Sequence, residues 1–227
     1  MIISVHQPQY IPWLGYFHKI YHSDAFVFLD NVQYKKREYQ NRNRIRTKDG
    51  SMWLTVPVVT ENAYPNIADV RIDNSQEWMR RHWKALSVNY ARSAHFKDYG
   101  DFFEAVYAKE WERLIDLNIY LIKHINSFFG IDKDIYSESH LGIKTTNTRR
   151  IIDICKAMKA DTYLSGLGGK GYLEEDLFVA NGIKLVYQDF RHPEYVQGYE
   201  PFVPFMSAID LLFNKGKDSL AVLTKPI

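Results

Sequence analysis

The chain has 227 residues, 46% of them apolar and 25% charged, with a net charge of +2. That length buries a core without disulfides or a structural metal, and the near balance of charge gives no bulk attraction to nucleic acid. One cysteine excludes an internal disulfide framework, and no apolar run reaches the roughly 18 residues of a membrane span.

Residues 1–5 form a short uncharged apolar run, read as a buried strand. They lack the basic start of a secretory leader, so a cytoplasmic location is expected. Next comes His6-Gln7-Pro8-Gln9-Tyr10-Ile11-Pro12-Trp13-Leu14-Gly15-Tyr16, whose two prolines forbid a regular element. Phe17, Ile20 and Tyr21 give a short helical stripe, and residues 25–29 a second buried strand ending at Asp30. Strand, loop, helix and strand make a βαβ unit. Ligands of open parallel sheets sit beyond the carboxyl ends of strands. His6, Gln7, Trp13, Tyr16 and Asp30 all fall there.

Lys35-Lys36-Arg37, Arg42, Arg44, Arg46 and Lys48 clump into a basic patch suited to a phosphate-bearing ligand, or simply to solvent. Arg42 and Asn43 supply donors that match carboxylate or phosphate. A hairpin is expected around Asp49-Gly50, with Ile45 and Leu54 in its strands, then a polar loop over residues 61–66 and a short strand over 70–72. Asn74 and Glu77 have the spacing of a helix-capping pair. Asp98 or Asp101 is expected to cap the next run, and apolar residues from Phe102 to Phe129 recur at helical spacing until Gly130.

The tail returns to α/β alternation. A helix starts at Thr146 or Asn147 and carries Cys155 on its apolar face, as core rather than nucleophile. A strand over 161–165 leads into the glycine-rich Gly166-Leu167-Gly168-Gly169-Lys170-Gly171. A helix over 174–180, a strand over 183–187, a loop over 191–204 and a helix over 207–213 follow. The expectation is one α/β domain over 1–227. Its parallel Rossmann-like sheet is built from both ends of the chain, and residues 31–130 form an inserted β-hairpin and helical region.

Two more clusters could carry chemistry. Ser165, Gly168 and Gly169 let the backbone approach an anion, and Lys170 adds a point charge. The spacing is not that of a Walker loop, and a loop without ligand is the plain alternative. Asp189, Arg191, His192, Glu194, Tyr195 and Gln197 follow a strand, and His192 is a candidate general base or else a turn residue. Asp210, in an otherwise apolar helix, needs a partner if buried. The histidines are scattered, and no metal site is expected.

The whole chain resembles the WbqC-like family. The residues that carry the resemblance are His6-Gln7-Pro8-Gln9-Tyr10-Ile11-Pro12-Trp13-Leu14-Gly15-Tyr16, Asp30-Asn31-Val32-Gln33-Tyr34, Asn41-Arg42-Asn43, Trp53-Leu54-Thr55-Val56-Pro57, Tyr163-Leu164-Ser165-Gly166 with Gly169-Lys170, Tyr195 with Gln197, and Asp210-Leu211-Leu212-Phe213. The family is associated with bacterial O-antigen and other surface-polysaccharide (lipopolysaccharide) gene sets. The resemblance implies a transferase that modifies an amino sugar or sugar nucleotide, adding a glycyl or similar acyl group to the sugar amine. The rival is a non-catalytic module that binds a carbohydrate or nucleotide.

The placement of residues 6–16 is also similar to the His-x-Gly-His motif of nucleotidylyl transferases and adenylate-forming ligases, with Gly15-Tyr16 where Gly-His would stand. On that analogy His6 and Lys170 stabilise phosphate charge and ATP with magnesium is the cofactor. The expected roles are then His6, His192 and Lys170 in catalysis, and Gln7, Trp13, Tyr16, Asp30, Arg42, Asn43, Ser165, Gly168, Gly169, Tyr195 and Gln197 in substrate binding. If the acyl donor is an aminoacyl-tRNA, the basic patch is its dock.

Overall fold

The computed structural model describes residues 1–59 and 65–225. In chain order the elements are β1 (Ile2–His6), α1 (Leu14–Tyr21), β2 (Ala25–Phe28), β3 (Arg42–Thr47), β4 (Gly50–Thr55), α2 (Trp78–Tyr90), α3 (Phe96–Ala108) and α4 (Leu114–Phe129). Then come β5 (Asp134–Ser137), α5 (Asn147–Ala157), β6 (Thr162–Ser165), α6 (Glu175–Ala180), β7 (Lys184–Tyr187), α7 (Ala208–Lys215) and α8 (Ser219–Leu223). The protein is an α/β chain with a five-stranded parallel sheet, a separate antiparallel hairpin and helices, a Rossmann-like arrangement.

The chain falls into two compact units. The first comprises Met1–Gln7, His18–Val32 and Asp132–Arg191. It holds the sheet, in the order β5-β2-β1-β6-β7. β1 pairs with β2 in the register Val5↔Val27 and with β6 in the register Ile3↔Tyr163. β1 and β2 lie inside the sheet and are apolar without alternation, as strands covered on both faces must be. Ile3, Val5 and Val27 pack with Ile152, Ile154 and Cys155 of α5 and with Tyr163 and Phe178. Burial pushes the Cys155 thiol up to about 12, which suits a core residue. β5 escapes the sequence reading because it is a four-residue edge strand, Asp-Ile-Tyr-Ser, with only partial burial.

The second unit comprises Pro8–Phe17, Gln33–Ile131 and His192–Ile227. The β3–β4 hairpin pairs Ile45↔Met52 and turns through Thr47↔Gly50, as Asp49-Gly50 signals. Gly50 has φ +123, a conformation that favours glycine. α4 buries Leu114, Leu117, Leu121, Ile122 and Ile125 at helical spacing and ends on the left-handed Gly130.

Several local expectations are corrected. Residues 70–72 form isolated bridges, Val58↔Ile72 and Arg71↔Arg113, not a strand. Asn74 does not cap α2. Its side chain is spent on the Trp111 carbonyl (2.9 Å) and the Trp78 indole (3.0 Å), and the cap position is Glu77. α3 is preceded by His95, which pairs with Asp98 at 2.8 Å. The expected polar loop over 61–66 lies largely outside the described residues. α8 carries no strong periodic signal in its five residues.

Candidate functional site

The sheet order gives the first unit a natural ligand position. From β1 the chain builds β2 and β5 to one side and β6 and β7 to the other, so the order reverses between β1 and β6. The carboxyl ends of strands flanking such a reversal form the crevice where open α/β sheets bind ligands. His6 and Gln7 end β1, and Ser165 and Gly166 end β6. Leu29 of the neighbouring strand end donates to the His6 carbonyl at 2.9 Å, and Gln188 after β7 donates to the Ser165 carbonyl at 2.7 Å.

His6 is half-buried, and its Nδ1–H donates to the Gln7 carbonyl at 3.1 Å. That bond places the lone pair of the neutral ring on Nε2. Burial lowers its pKa to about 3, the Lys19 charge adds to the fall, and the Gln7 carbonyl opposes it. His6 is therefore neutral at physiological pH rather than positively charged.

Lys19 is the residue the sequence hides. It lies on α1 and is only 3% exposed. Its Nζ donates to the Val5 carbonyl at 3.2 Å, and among the described residues it forms no ion pair. Burial lowers its pKa to about 7. A lysine in a weakly patterned helix reads as surface, and no spacing signals that α1 is covered nearly all round.

The glycine loop folds as a 3-10 turn over Leu167–Gly171. The amide of Gly169 donates to the Gly166 carbonyl, and those of Tyr172 and Leu173 donate to Gly169. These three amides are closed on the loop itself and do not form an open anion cradle. Ser165 is buried, and its hydroxyl donates to the Gly166 carbonyl at 3.0 Å. A Cβ on Gly169 would stand 2.2 Å from that hydroxyl, so the close approach requires glycine there. A Cβ on Gly168 would meet only open space. Lys170 sits 5.1 Å over the Tyr187 ring, at the end of β7, where its charge is held by the ring face.

Asp30 is buried at the end of β2. It accepts the Ser139 amide at 2.9 Å and the Ser139 hydroxyl at 2.7 Å. Glu138 beside it is 1% exposed, with the Arg150 guanidinium 3.6 Å away. Burial raises the Glu138 pKa, while Arg150 and the Asn31 amide oppose the rise. Arg150 also donates to the carbonyls of Thr145 (2.7 Å) and Asn31 (2.8 Å), which ties the β2 and β5 ends together.

The other candidates lie in the second unit, most of them inside its framework. The stretch after Gln7 is core: Tyr10, Ile11 and Leu14 are fully buried. Ile11 adopts φ +36, unusual for a β-branched residue, and Asn43 Nδ2 donates to its carbonyl at 2.8 Å. Tyr16 is buried, and burial raises its hydroxyl well above the usual tyrosine range. A Cβ on Gly15 would stand 2.2–2.6 Å from the Trp13 indole, so glycine there lets the ring lie against the backbone. Trp13 packs on Phe205 at 5.9 Å, and His192 packs on the same ring at 5.2 Å. His192 donates Nδ1–H to the Pro193 carbonyl at 2.9 Å, and burial lowers its pKa.

Tyr195 and Gln197 serve Asp210. The Asp210 carboxylate is fully buried and accepts the Tyr90 hydroxyl at 2.8 Å, the Tyr195 hydroxyl at 2.7 Å and Gln197 Nε2 at 2.9 Å. Gln197 Oε1 accepts Arg46 Nε at 3.2 Å. Arg46, also buried, donates to the carbonyls of Gly50 (2.7 Å), Tyr199 (3.1 Å) and Pro201 (2.7 Å). The network fastens the 195–203 segment to the hairpin and to α7. On the outer face of the hairpin, Arg42 lies 4.4 Å and Arg44 5.6 Å from the Trp53 ring centroid.

One pair of histidines is not scattered. His18 and His22 stand one helical turn apart, with ring centroids 4.2 Å from each other, and Gln188 Nε2 donates to His18 Nδ1 at 2.9 Å. Among the described residues no group of three or more His, Cys, Asp or Glu is placed to hold a metal. No helix among them is long and apolar enough to cross a membrane.

The five-stranded parallel sheet with its covering helices makes the chain a Rossmann-like α/β protein. Within that class the chain belongs to the WbqC-like protein family, whose model matches residues 7–222. An uncharacterized protein of Mycobacterium tuberculosis is 34% identical over 220 residues, covering 96% of this chain and 95% of that one. No solved structure matches the chain.

Proposed function

We propose that the protein is a transferase acting on an amino sugar or sugar nucleotide in bacterial surface-polysaccharide synthesis, adding a glycyl or similar acyl group to the sugar amine. The observation that supports this reading best is the reversal point between β1 and β6, with His6 and Gln7 on one lip and Ser165 and Gly166 on the other. In the reading, the phosphate-bearing part of the ligand lies over these strand ends. His6 contributes a neutral hydrogen-bonding ring, Lys19 a charge that a bound anion would complete, and Lys170 a cation that leaves Tyr187 at a cost of about 0.5–1 kcal/mol. The nucleotide is the nucleoside diphosphate of the sugar, or ATP with magnesium on an adenylate-forming route.

A specific observation favours a second reading, a module that binds its ligand without consuming nucleotide. Tyr16 stands where the analogy with adenylate-forming enzymes calls for a second histidine, and it is buried. A thermal-shift panel of ATP with magnesium, UDP- and dTDP-sugars and glycine separates the two, because a ligand of the folded state raises the midpoint with its concentration over Kd. Stabilisation by a sugar nucleotide, with turnover that falls at least tenfold in His6→Ala, is expected. Full turnover in His6→Ala removes the catalytic role of His6. Binding without turnover under any donor leaves the module.

A further inference from the structure

The second unit carries a cleft apart from every candidate site residue described above. It has a volume of about 470 Å³ and lies along the start of α2 and the end of α3, walled by Gln76, Glu77, Met79, Arg80, Trp83 and Glu104. Small-molecule sites typically have volumes of about 300–1,000 Å³.

The chemistry of the wall is one-sided. Trp83 is half-buried, stacked on Phe96 at a centroid distance of 6.0 Å and an angle of 15°. Its Nε1–H donates to Glu104 Oε1 at 3.1 Å, which fixes the indole and leaves the second carboxylate oxygen of Glu104 without a partner among the described residues. Glu77 pairs with Arg80 through one oxygen, which leaves its other oxygen as an acceptor. Gln76 donates its amide nitrogen to Asp73 at 2.8 Å and keeps its carbonyl oxygen. Three acceptor atoms of the wall thus have no partner among the described residues, two of them on carboxylates. The Arg80 guanidinium is paired with Glu77. An aromatic wall beside surplus acceptors and a net negative charge suits a ring with an apolar C–H face, several hydroxyl donors and a positive charge. It disfavours a phosphate or a carboxylate.

We infer that this cleft binds the ring of a hexosamine, with the C–H face on Trp83 and the ammonium on Glu104. The inference deepens the transferase reading and rests on it for the ring's role as acceptor, though not for the binding itself.

The test is a titration of the full chain with glucosamine, up to about 20 mM, followed at the Trp83 indole N–H by NMR, since weak single-ring ligands bind near millimolar. Saturable shifts of that signal are expected, weaker by about threefold or more for N-acetylglucosamine and for glucose, which lack the charge. Glu104→Gln keeps the oxygen that accepts from the indole and removes the charge. It should weaken glucosamine by about the same factor and leave glucose unaffected. Trp83→Phe, read at neighbouring amides, should weaken all three sugars. Absence of saturable shifts with glucosamine overturns the proposal. So does equal affinity of the wild type and Glu104→Gln, or of glucosamine and its N-acetyl form. Shifts at Ser165 and Gly166 with UDP alone, but none at Trp83 with glucosamine, sink the cleft and spare the reading at the sheet. The reverse pattern does the opposite.

Discussion

Replacing Lys19 by methionine should make the protein more stable at neutral pH and below. Lys19 is 3% exposed and has one neutral hydrogen-bond partner, the Val5 carbonyl at 3.2 Å. Its pKa falls from 10.5 to about 7 on burial. At about 1.36 kcal/mol per pH unit, that fall corresponds to roughly 5 kcal/mol of preference for the neutral amine in the folded state. The unfolded chain binds this proton more tightly, so stability rises with pH between about 7 and 10.5 and carries the full penalty below about 7. Methionine fills a similar volume without the charge and gives up a hydrogen bond worth about 1 kcal/mol. The expected gain at pH 6 is about 4 kcal/mol, shrinking toward zero at pH 10. Urea unfolding at pH 6, 8 and 10 measures it, with the midpoint as readout at constant m. Destabilisation of Lys19→Met at pH 6, or a difference that does not change with pH, refutes the reasoning.

Asp210→Ala should cost about 4–6 kcal/mol, because it strands the Tyr90, Tyr195 and Gln197 donors in a fully buried site at about 1–3 kcal/mol each. Denaturant unfolding measures it, and a loss under about 1 kcal/mol would mean the network is not what fastens the 195–203 segment. Gly169→Ala should destabilise the first unit by about 1–3 kcal/mol, since its Cβ would fall 2.2 Å from the Ser165 hydroxyl. Gly168→Ala, open on all sides, should cost little and serves as the control.

The alternation of strand-like runs and helical stripes at both ends of the chain was enough to place the parallel sheet, since β1 and β2 are mostly apolar as interior strands are. The hairpin was legible in Asp49-Gly50 and its flanking residues. β5 was not, because an edge strand of four half-exposed residues leaves no pattern. Asp210 was marked by its cost, and its partners Tyr90, Tyr195 and Gln197, 13 to 120 residues away, could come only from tertiary structure. Sequence reading treated residues 6–16 as one loop aimed at ligand. In the structure its start ends β1, while Tyr10, Ile11 and Leu14 are core. The same burial explains Lys19, whose surroundings are assembled by α1 and β1 together and leave no trace in local spacing.

The pairing of β1 with β6 has a consequence for how the protein is made. Ile2 is hydrogen-bonded in register with Thr162, so the middle of the sheet joins segments 160 residues apart. At roughly 5–20 residues per second of synthesis, β1 leaves the ribosome about 8–30 s before the strand that must lie beside it. Through that interval an uncharged apolar stretch has β2 on one flank and nothing on the other. Completion of the sheet is therefore a late, non-local event, and pairing of this kind is intrinsically slow and exposed to aggregation.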